Sequence, residues 1–353
     1  MEATDAKGET AVRAAVMRNA EIVVDTVADP VPGEGEVLVK TLACGICGSD
    51  LHALKYADKM VEAARESGAP FVLDLARDVV MGHEFCAEVV ELGPNTSTTA
   101  RLGTRIVSMP IVFRAGRMEG VGYSNEVPGG YGELMVLSAA LALAVPNGLA
   151  TEHAALTEPM AVGVHAVAKA RLEPYDAPLV IGCGPVGLAV IAALRLRGVE
   201  PIVAADFSPM RRALAERVGA HLVVDPAVRP PFEAFGAAAQ LRPAVVFECV
   251  GVPGLLRQIM RDAPHGARVI VAGVCMEDDV IRPMLGINKE LAVQFVLGYT
   301  QEEFSSTLDA IADGRIDVAP LVTGRVGVDG VAEAFEALAK PEAHAKILVE
   351  PWR

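Results

Sequence analysis

Apolar and polar positions divide the chain into two regimes. From residue 11 to about 146 the apolar residues fall in short runs, at 12–17, 21–27, 36–42, 84–92, 104–109 and 133–137. Pro30, Pro32, Gly33, Gly35, Gly93-Pro94 and Pro128-Gly129-Gly130 separate these runs, which is the pattern of short strands joined by turns. This half therefore predicts an irregular β domain, a partly open barrel. Residues 59–65 and 72–76 have a helical look and predict a helical insertion between Tyr56 and Arg77. After Pro146 strands and Ala-rich helical stretches alternate. Strands are expected at 179–181, 202–205, 221–224, 244–249, 268–272 and 292–297, with a helix over 209–218 that stops at Gly219. Six strands arranged this way predict an α/β fold with a doubly wound parallel sheet. The chain closes with helices around 307–313 and 331–338 and a strand at 345–349.

The apolar run at 179–181 breaks into Gly182-Cys183-Gly184-Pro185-Val186-Gly187 and continues into a long apolar segment. The G-x-G-x-x-G spacing gives a tight turn, close backbone approach to a pyrophosphate, and a helix N-terminus facing the phosphates. A glycine turn in any α/β domain shows the same pattern. What raises it is Asp206, nineteen residues past Gly187 at the end of the next strand, where an acid accepts hydrogen bonds from an adenosine ribose. Val250 and Val274, at later strand ends, are candidate neighbours of the ribose and nicotinamide.

Composition narrows the class. The hydrophobic fraction is 52% and the charged fraction 22%, as in globular proteins. A net charge of −14 without a Lys/Arg cluster argues against a nucleic-acid partner. No apolar run is long enough to span a membrane, and residues 1–10, read as a frayed tail, lack signal-peptide character. Six cysteines are few for this length and fit a reducing cytoplasm rather than a disulfide framework.

The densest chemistry lies in the β half, at Cys44-Gly45-Ile46-Cys47-Gly48-Ser49-Asp50-Leu51-His52 and Gly82-His83-Glu84. The C-x-x-C pair has no second copy, so a four-cysteine zinc knuckle is excluded, and β surroundings disfavour a thioredoxin-like pair. One thiolate, one imidazole and nearby carboxylates remain, which suit a catalytic zinc with an open position.

These two motifs, Thr157-Glu158-Pro159-Met160-Ala161-Val162-Gly163 and the glycine loop occur in the order found in zinc-dependent medium-chain alcohol dehydrogenases. The chain resembles their sorbitol, threonine and secondary-alcohol branch over nearly its whole length. The resemblance implies a GroES-like catalytic domain at 1–163, a Rossmann dinucleotide-binding domain at 164–299 and a C-terminal return at 300–353, with the active site in the cleft. It implies Cys47 and His83 as direct zinc ligands, Glu158 at the third ligand position, and Glu84 as an acid that binds zinc in some relatives and waits beside it in others. Asp50 resembles the acid that orients the zinc-bound imidazole. Cys44 matches no ligand and reads as a buried small side chain. Ser49 resembles the hydroxyl that bonds the substrate oxygen, and His52 the imidazole that receives the proton through the nicotinamide ribose. The remaining histidines, at 153, 165, 221, 265 and 344, read as structural or solvated.

The expected activity is hydride transfer between NAD and a secondary alcohol or ketone. A polyol or threonine-type dehydrogenase, a zinc-free reductase and a non-catalytic nucleotide-binding protein are the alternatives. Asp206 favours NAD over NADP, with an arginine at the position of Arg211 coexisting with the acid in NAD-linked polyol relatives. The resemblance also implies departures from the sorbitol dehydrogenases, which tend to carry aromatics where Ala53 and Leu54 follow His52, and an arginine that holds polyol hydroxyls where Gly298 precedes Tyr299; Met109, Ile111, Val112 and Phe113 are read as apolar pocket walls. One zinc per chain is expected, because no cysteine follows Cys86 before Glu158 to build a structural site. A homo-oligomer, dimer or tetramer, is also expected.

Overall fold

The computed structural model describes residues 11–69, 73–114, 116–340 and 342–353. The expected tail at 1–10 lies outside them, as does the first residue of the expected helix at 72–76. Two compact units emerge. The first holds the chain up to Glu158 with Val322–Lys340 and Lys346–Arg353, the second Pro159–Leu321 with Pro341–Ala345.

The first unit is built on the strand Glu36–Gly45, whose inward positions Val37 and Val39 are fully buried. It pairs antiparallel with Glu84–Leu92 and Leu134–Ser138, and its far end pairs with Lys346–Val349. A separate hairpin, Ala11–Arg18 with Glu21–Ala28, covers the core with Ala14, Ala15 and Val16. Helix Gly48–Lys55 follows the central strand, and Ala57–Ser67 follows it, ending at Gly68 in the left-handed region (φ 66°). Residues 73–76 are not helical. They form a turn held by Asn125, whose Oδ1 accepts from the Asp74 N–H at 2.9 Å and whose Nδ2 donates to the Asp74 carbonyl at 3.0 Å.

The pattern of the sequence also lacks the hairpin Ile111–Arg114 with Arg117–Gly120. Each strand has four residues, and with arginines at the turn there is too little alternation to read. In this hairpin Val112 is fully buried in the core, so it is not the pocket wall expected of it, while Phe113 is 58% exposed.

The second unit carries a parallel six-stranded sheet in the order Leu222–Val224, Val203–Ala205, Ala177–Ile181, Ala244–Glu248, Arg268–Val271, Ala292–Phe295. This is the doubly wound dinucleotide-binding order. The two central strands are buried at every residue, as parallel strands covered on both faces must be. The unit runs from 159 to 321, against limits of 163/164 and 299/300 from the sequence pattern. Helix Gln301–Ala312 accounts for the later limit, since it buries Phe304, Leu308 and Ile311. Its start is fixed by reciprocal capping between Thr300 and Glu303, a signal already present in the sequence.

Candidate metal centre and dinucleotide site

Cys47 leaves the central strand and caps helix Gly48–Lys55, while His83 and Glu84 enter the neighbouring strand, where Glu84 sits opposite Gly45. Any side chain at Gly45 would collide with that carboxylate, because its Cβ would lie 2.1 Å from Glu84 Oε2. One ligand atom each from Cys47, His83 and Glu84 lies within 4.8 Å of the others. Donors 2.0–2.3 Å from a common zinc stand roughly 3–4 Å apart, so this spread suits a shared ion. Glu158, buried in the first turn of helix Thr157–Lys169, is not in that set of three.

Behind the ligands is Asp50, wholly buried in the first turn of its helix. Its Oδ2 accepts from Tyr131 OH at 2.6 Å and from the Cys47 N–H at 3.0 Å, and its Oδ1 from Tyr123 OH at 3.0 Å. His83 Nδ1 is 3.3 Å from Oδ1, an electrostatic contact in which the N–H is not aimed at the oxygen. Burial pushes the Asp50 carboxyl up, but His83, Tyr131 and the Cys47 amide outweigh it and hold the group below the usual range. Burial disfavours His83 as a cation, yet the Asp50 charge raises it well above an ordinary histidine.

Ser49 Oγ lies 2.9 Å from Tyr123 OH. His52 stands in the same helix, where burial and then the Lys55 charge depress its pKa, and its buried Nδ1 has no hydrogen-bond partner. Cys44 is fully buried, burial pushes its thiol well up, and the side chain is structural as expected.

Three residues of this centre escape the sequence. Tyr123 and Tyr131 converge on Asp50 from loops whose paths no local pattern gives. Lys346, 2% exposed in the last strand, donates from Nζ to both oxygens of Glu84 at 2.7 and 2.6 Å and to the Ile46 carbonyl at 3.0 Å. Burial lowers its pKa, but Glu84, Cys47 and Glu158 raise it overall, which places Glu158 within electrostatic reach. A lysine in the apolar run Ala345-Lys346-Ile347-Leu348-Val349 is itself a signal, because such a charge is not buried without a partner.

In the second unit, Gly182 makes the turn at φ 92° and its N–H bonds the Ala205 carbonyl at 2.9 Å. A Cβ on Gly187 would lie 1.8 Å from the Gly182 carbonyl oxygen, so helix and strand approach only through glycine here. Gly184 caps helix Pro185–Leu196, with Pro185 and Val186 opening its first turn. Asp206 is buried and accepts from the Cys183 N–H at 2.7 Å and the Ser208 N–H at 2.8 Å, tying the loop to the second strand. Arg211 reaches over Gly184, its Nη1 3.8 Å from where a Cβ there would stand, and its buried Nε has no hydrogen-bond partner. Arg212 is committed to the Asp206 and Phe207 carbonyls at 2.9 and 2.7 Å and to Asp225 at 3.0 Å. Val250 and Val274 are 40% and 45% exposed just past the ends of their strands. Glu248, missed by the sequence reading, holds the Val250 and Gly251 N–H groups at 2.7 and 2.8 Å.

Comparison with known proteins shows the family. The alcohol dehydrogenase GroES-like domain matches residues 33–147 and the zinc-binding dehydrogenase domain matches 185–313. The (R,R)-butanediol dehydrogenase of Bacillus subtilis (strain 168) is 32% identical, over 94% of this chain and 97% of its own. The crystal structure of 2R,3R-butanediol dehydrogenase from Bacillus subtilis superposes with a TM-score of 0.82 at 31% identity, covering 96% of this chain and 99% of that one. A putative zinc-binding dehydrogenase from Sinorhizobium meliloti 1021, bound to NADP, is 28% identical with a TM-score of 0.81 over 97% and 99% of the two chains. With the ligand cluster, the glycine loop and these similarities in agreement, the chain belongs to the zinc-dependent medium-chain alcohol dehydrogenases.

Proposed function

We propose that the chain interconverts a secondary alcohol and its ketone with NAD, holding one zinc ion by Cys47, His83 and the carboxylates of Glu158 and Glu84. The observation that carries this reading is the convergence of a thiol, an imidazole and a carboxylate within 4.8 Å, with Asp50 set behind the imidazole. The donor set fits zinc. The charges of zinc and Lys346 also balance those of one thiolate and two carboxylates. Zinc in such a site lowers the pKa of an alcohol hydroxyl, and NAD accepts the hydride. Ser49 would accept the hydroxyl proton while passing its own toward the nicotinamide ribose, and His52 would receive a proton from the ribose and hand it to solvent, for which its depressed pKa suits release. Gly182, Gly184, Pro185, Val186 and Gly187 cradle the pyrophosphate, Arg211 faces it, Asp206 meets the ribose, and Val250 and Val274 line the nicotinamide half.

A panel of alcohols with NAD tests the reading. Simple and aryl secondary alcohols are expected to exceed sorbitol and xylitol in kcat/KM by at least about tenfold, because Gly298 and Tyr299 stand where polyol relatives place an arginine that holds those hydroxyls; Ala53, fully buried in the core, takes no part. Turnover favouring the polyols by that margin would reverse the substrate assignment.

The reading includes a homo-oligomer formed through the strand Ala292–Phe295. This strand ends the parallel sheet, all four of its residues are exposed, and Val293, Phe295 and the following Leu297 are 37%, 70% and 89% exposed. No charge or proline blunts the edge, and a second copy related by a two-fold axis would pair it antiparallel with itself. Phe295→Lys is expected to give monomers in light scattering. The free cysteines suit a reducing compartment, and the reading assigns the protein to the cytoplasm. No helix among the described residues is long and apolar enough to cross a membrane.

A further inference from the structure

Glu248 is the last residue of the central parallel strand Ala244–Glu248 and is 3% exposed. Two loops that carry the proposed cofactor neighbours, 249–251 and 272–274, are both tied to it. Its Oε1 accepts from the Val250 N–H at 2.7 Å and the Gly251 N–H at 2.8 Å, and its main-chain carbonyl accepts from the Ala272 and Gly273 N–H groups at 2.9 Å each. The chain leaves the sheet here, so the carboxylate stands in for the strand partner that Val250 and Gly251 no longer have. Beyond it the loops touch backbone to backbone. A Cβ on Gly273 would lie 2.7 Å from Glu248 Oε2 and would strike the Gly251 nitrogen, and one on Gly251, at φ 71°, would strike the Val274 carbonyl. Val250 also leans on the phosphate turn, its Cγ2 2.5 Å from where a Cβ on Gly182 would stand. Oε1 accepts whether or not the carboxyl is ionised, so the clamp does not depend on its charge.

We propose that Glu248 is a positioning residue for the nicotinamide half of the dinucleotide, holding the 249–251 turn against the 272–274 loop so that Val250 and Val274 meet the cofactor as one preformed surface. The inference rests on the proposed dinucleotide site and adds the residue that keeps its nicotinamide side in place. Without the acceptor, two N–H groups lose their partner and the turn gains freedom that cofactor binding must then remove. That cost falls on the nicotinamide half, because the adenosine side is held separately, by Asp206 on the Cys183 and Ser208 N–H groups.

Titration calorimetry of the zinc-loaded enzyme with NAD and with ADP tests this, since ADP keeps the adenosine and two phosphates but lacks the nicotinamide riboside. Glu248→Ala is expected to weaken NAD about tenfold and ADP by less than about twofold. Glu248→Gln presents an amide oxygen to the same two N–H groups and is expected to keep NAD affinity within about threefold of wild type. An unchanged affinity for NAD in Glu248→Ala, equal losses of NAD and ADP, or a loss in Glu248→Gln as large as in Glu248→Ala would overturn the inference and leave the proposed function standing. Wild-type enzyme that bound neither nucleotide would overturn the dinucleotide site and with it the inference. If Glu248→Ala does not fold, Glu248→Asp keeps the carboxylate but withdraws it from the turn by one methylene. It is expected to weaken NAD about threefold with ADP unchanged, and undiminished NAD binding would count against the proposal.

Discussion

Arg114 grips the buried carboxylate of Glu36 with two bonds, Nε to Oε1 at 2.7 Å and Nη2 to Oε2 at 2.9 Å. The pair pins the hairpin Ile111–Arg114 with Arg117–Gly120 to the central strand. Beyond the hairpin, Arg77 bonds Glu126 at 2.7 Å and Asn125 bonds the backbone of Asp74. Ion pairing and loop hydrogen bonds therefore hold a lobe that contains no cysteine.

Metal analysis of freshly purified enzyme is accordingly expected to give one zinc per chain. A chelator should abolish turnover while the circular dichroism spectrum persists, because both units have cores that do not depend on the metal. Two zinc ions per chain, or unfolding in step with metal removal, would contradict this.

Arg114→Ala leaves a buried carboxylate without its main partner and is expected to cost about 1–3 kcal/mol at pH 6 in urea unfolding. Burial pushes the Glu36 carboxyl up, but Arg114 and the Gly33 N–H bring it below the usual value. A lowered folded-state pKa stabilises fully above the unfolded value, about 4.3, and the contribution is lost as pH falls through the folded value. The gap between wild type and Arg114→Ala should thus narrow on acidification below about pH 4.3. A gap independent of pH would assign the effect to packing.

Lys346→Met removes the ammonium from Glu84 and is expected to destabilise the zinc-free protein by about 3–5 kcal/mol, the usual consequence of stranding a buried charge. Zinc supplies a replacement positive charge, so the loss should shrink in the zinc-loaded form. Thermal unfolding with and without metal measures both, and equal losses would separate Glu84 from the metal.

The cofactor choice is checked by kcat/KM with each nucleotide. NAD is expected to exceed NADP by at least about tenfold, since the Asp206 carboxylate repels a 2′-phosphate. Arg211→Ala should weaken both nucleotides by about tenfold, as loss of a pyrophosphate contact would. A larger effect on NADP alone would place Arg211 at the 2′-position instead.

The parts legible in the sequence were those whose spacing is set by local chemistry. Gly182 to Gly187 with Asp206, and Cys47 to His52 with His83 and Glu84, each sit on one turn or strand end, and the fold places them as the spacing implies. Tyr123 and Lys346 were not legible because their partners lie 73 and 262 residues away in the chain. Val112 failed for a different reason. Its apolar character is equally right for a pocket wall and for the core, and only the pleat of a four-residue strand decides between them.

The bond between Lys346 and Glu84 also orders events in time. Glu84 enters the growing chain 262 residues before its counter-charge, an interval of about 10–50 s at ordinary rates of synthesis. Throughout that interval the Glu84 carboxylate has no ammonium of Lys346 to meet it. The far end of the central strand gains its antiparallel neighbour only when Lys346–Val349 has been made. The sheet of the first unit is thus completed only after the residues of the second unit, 159–321, have been made.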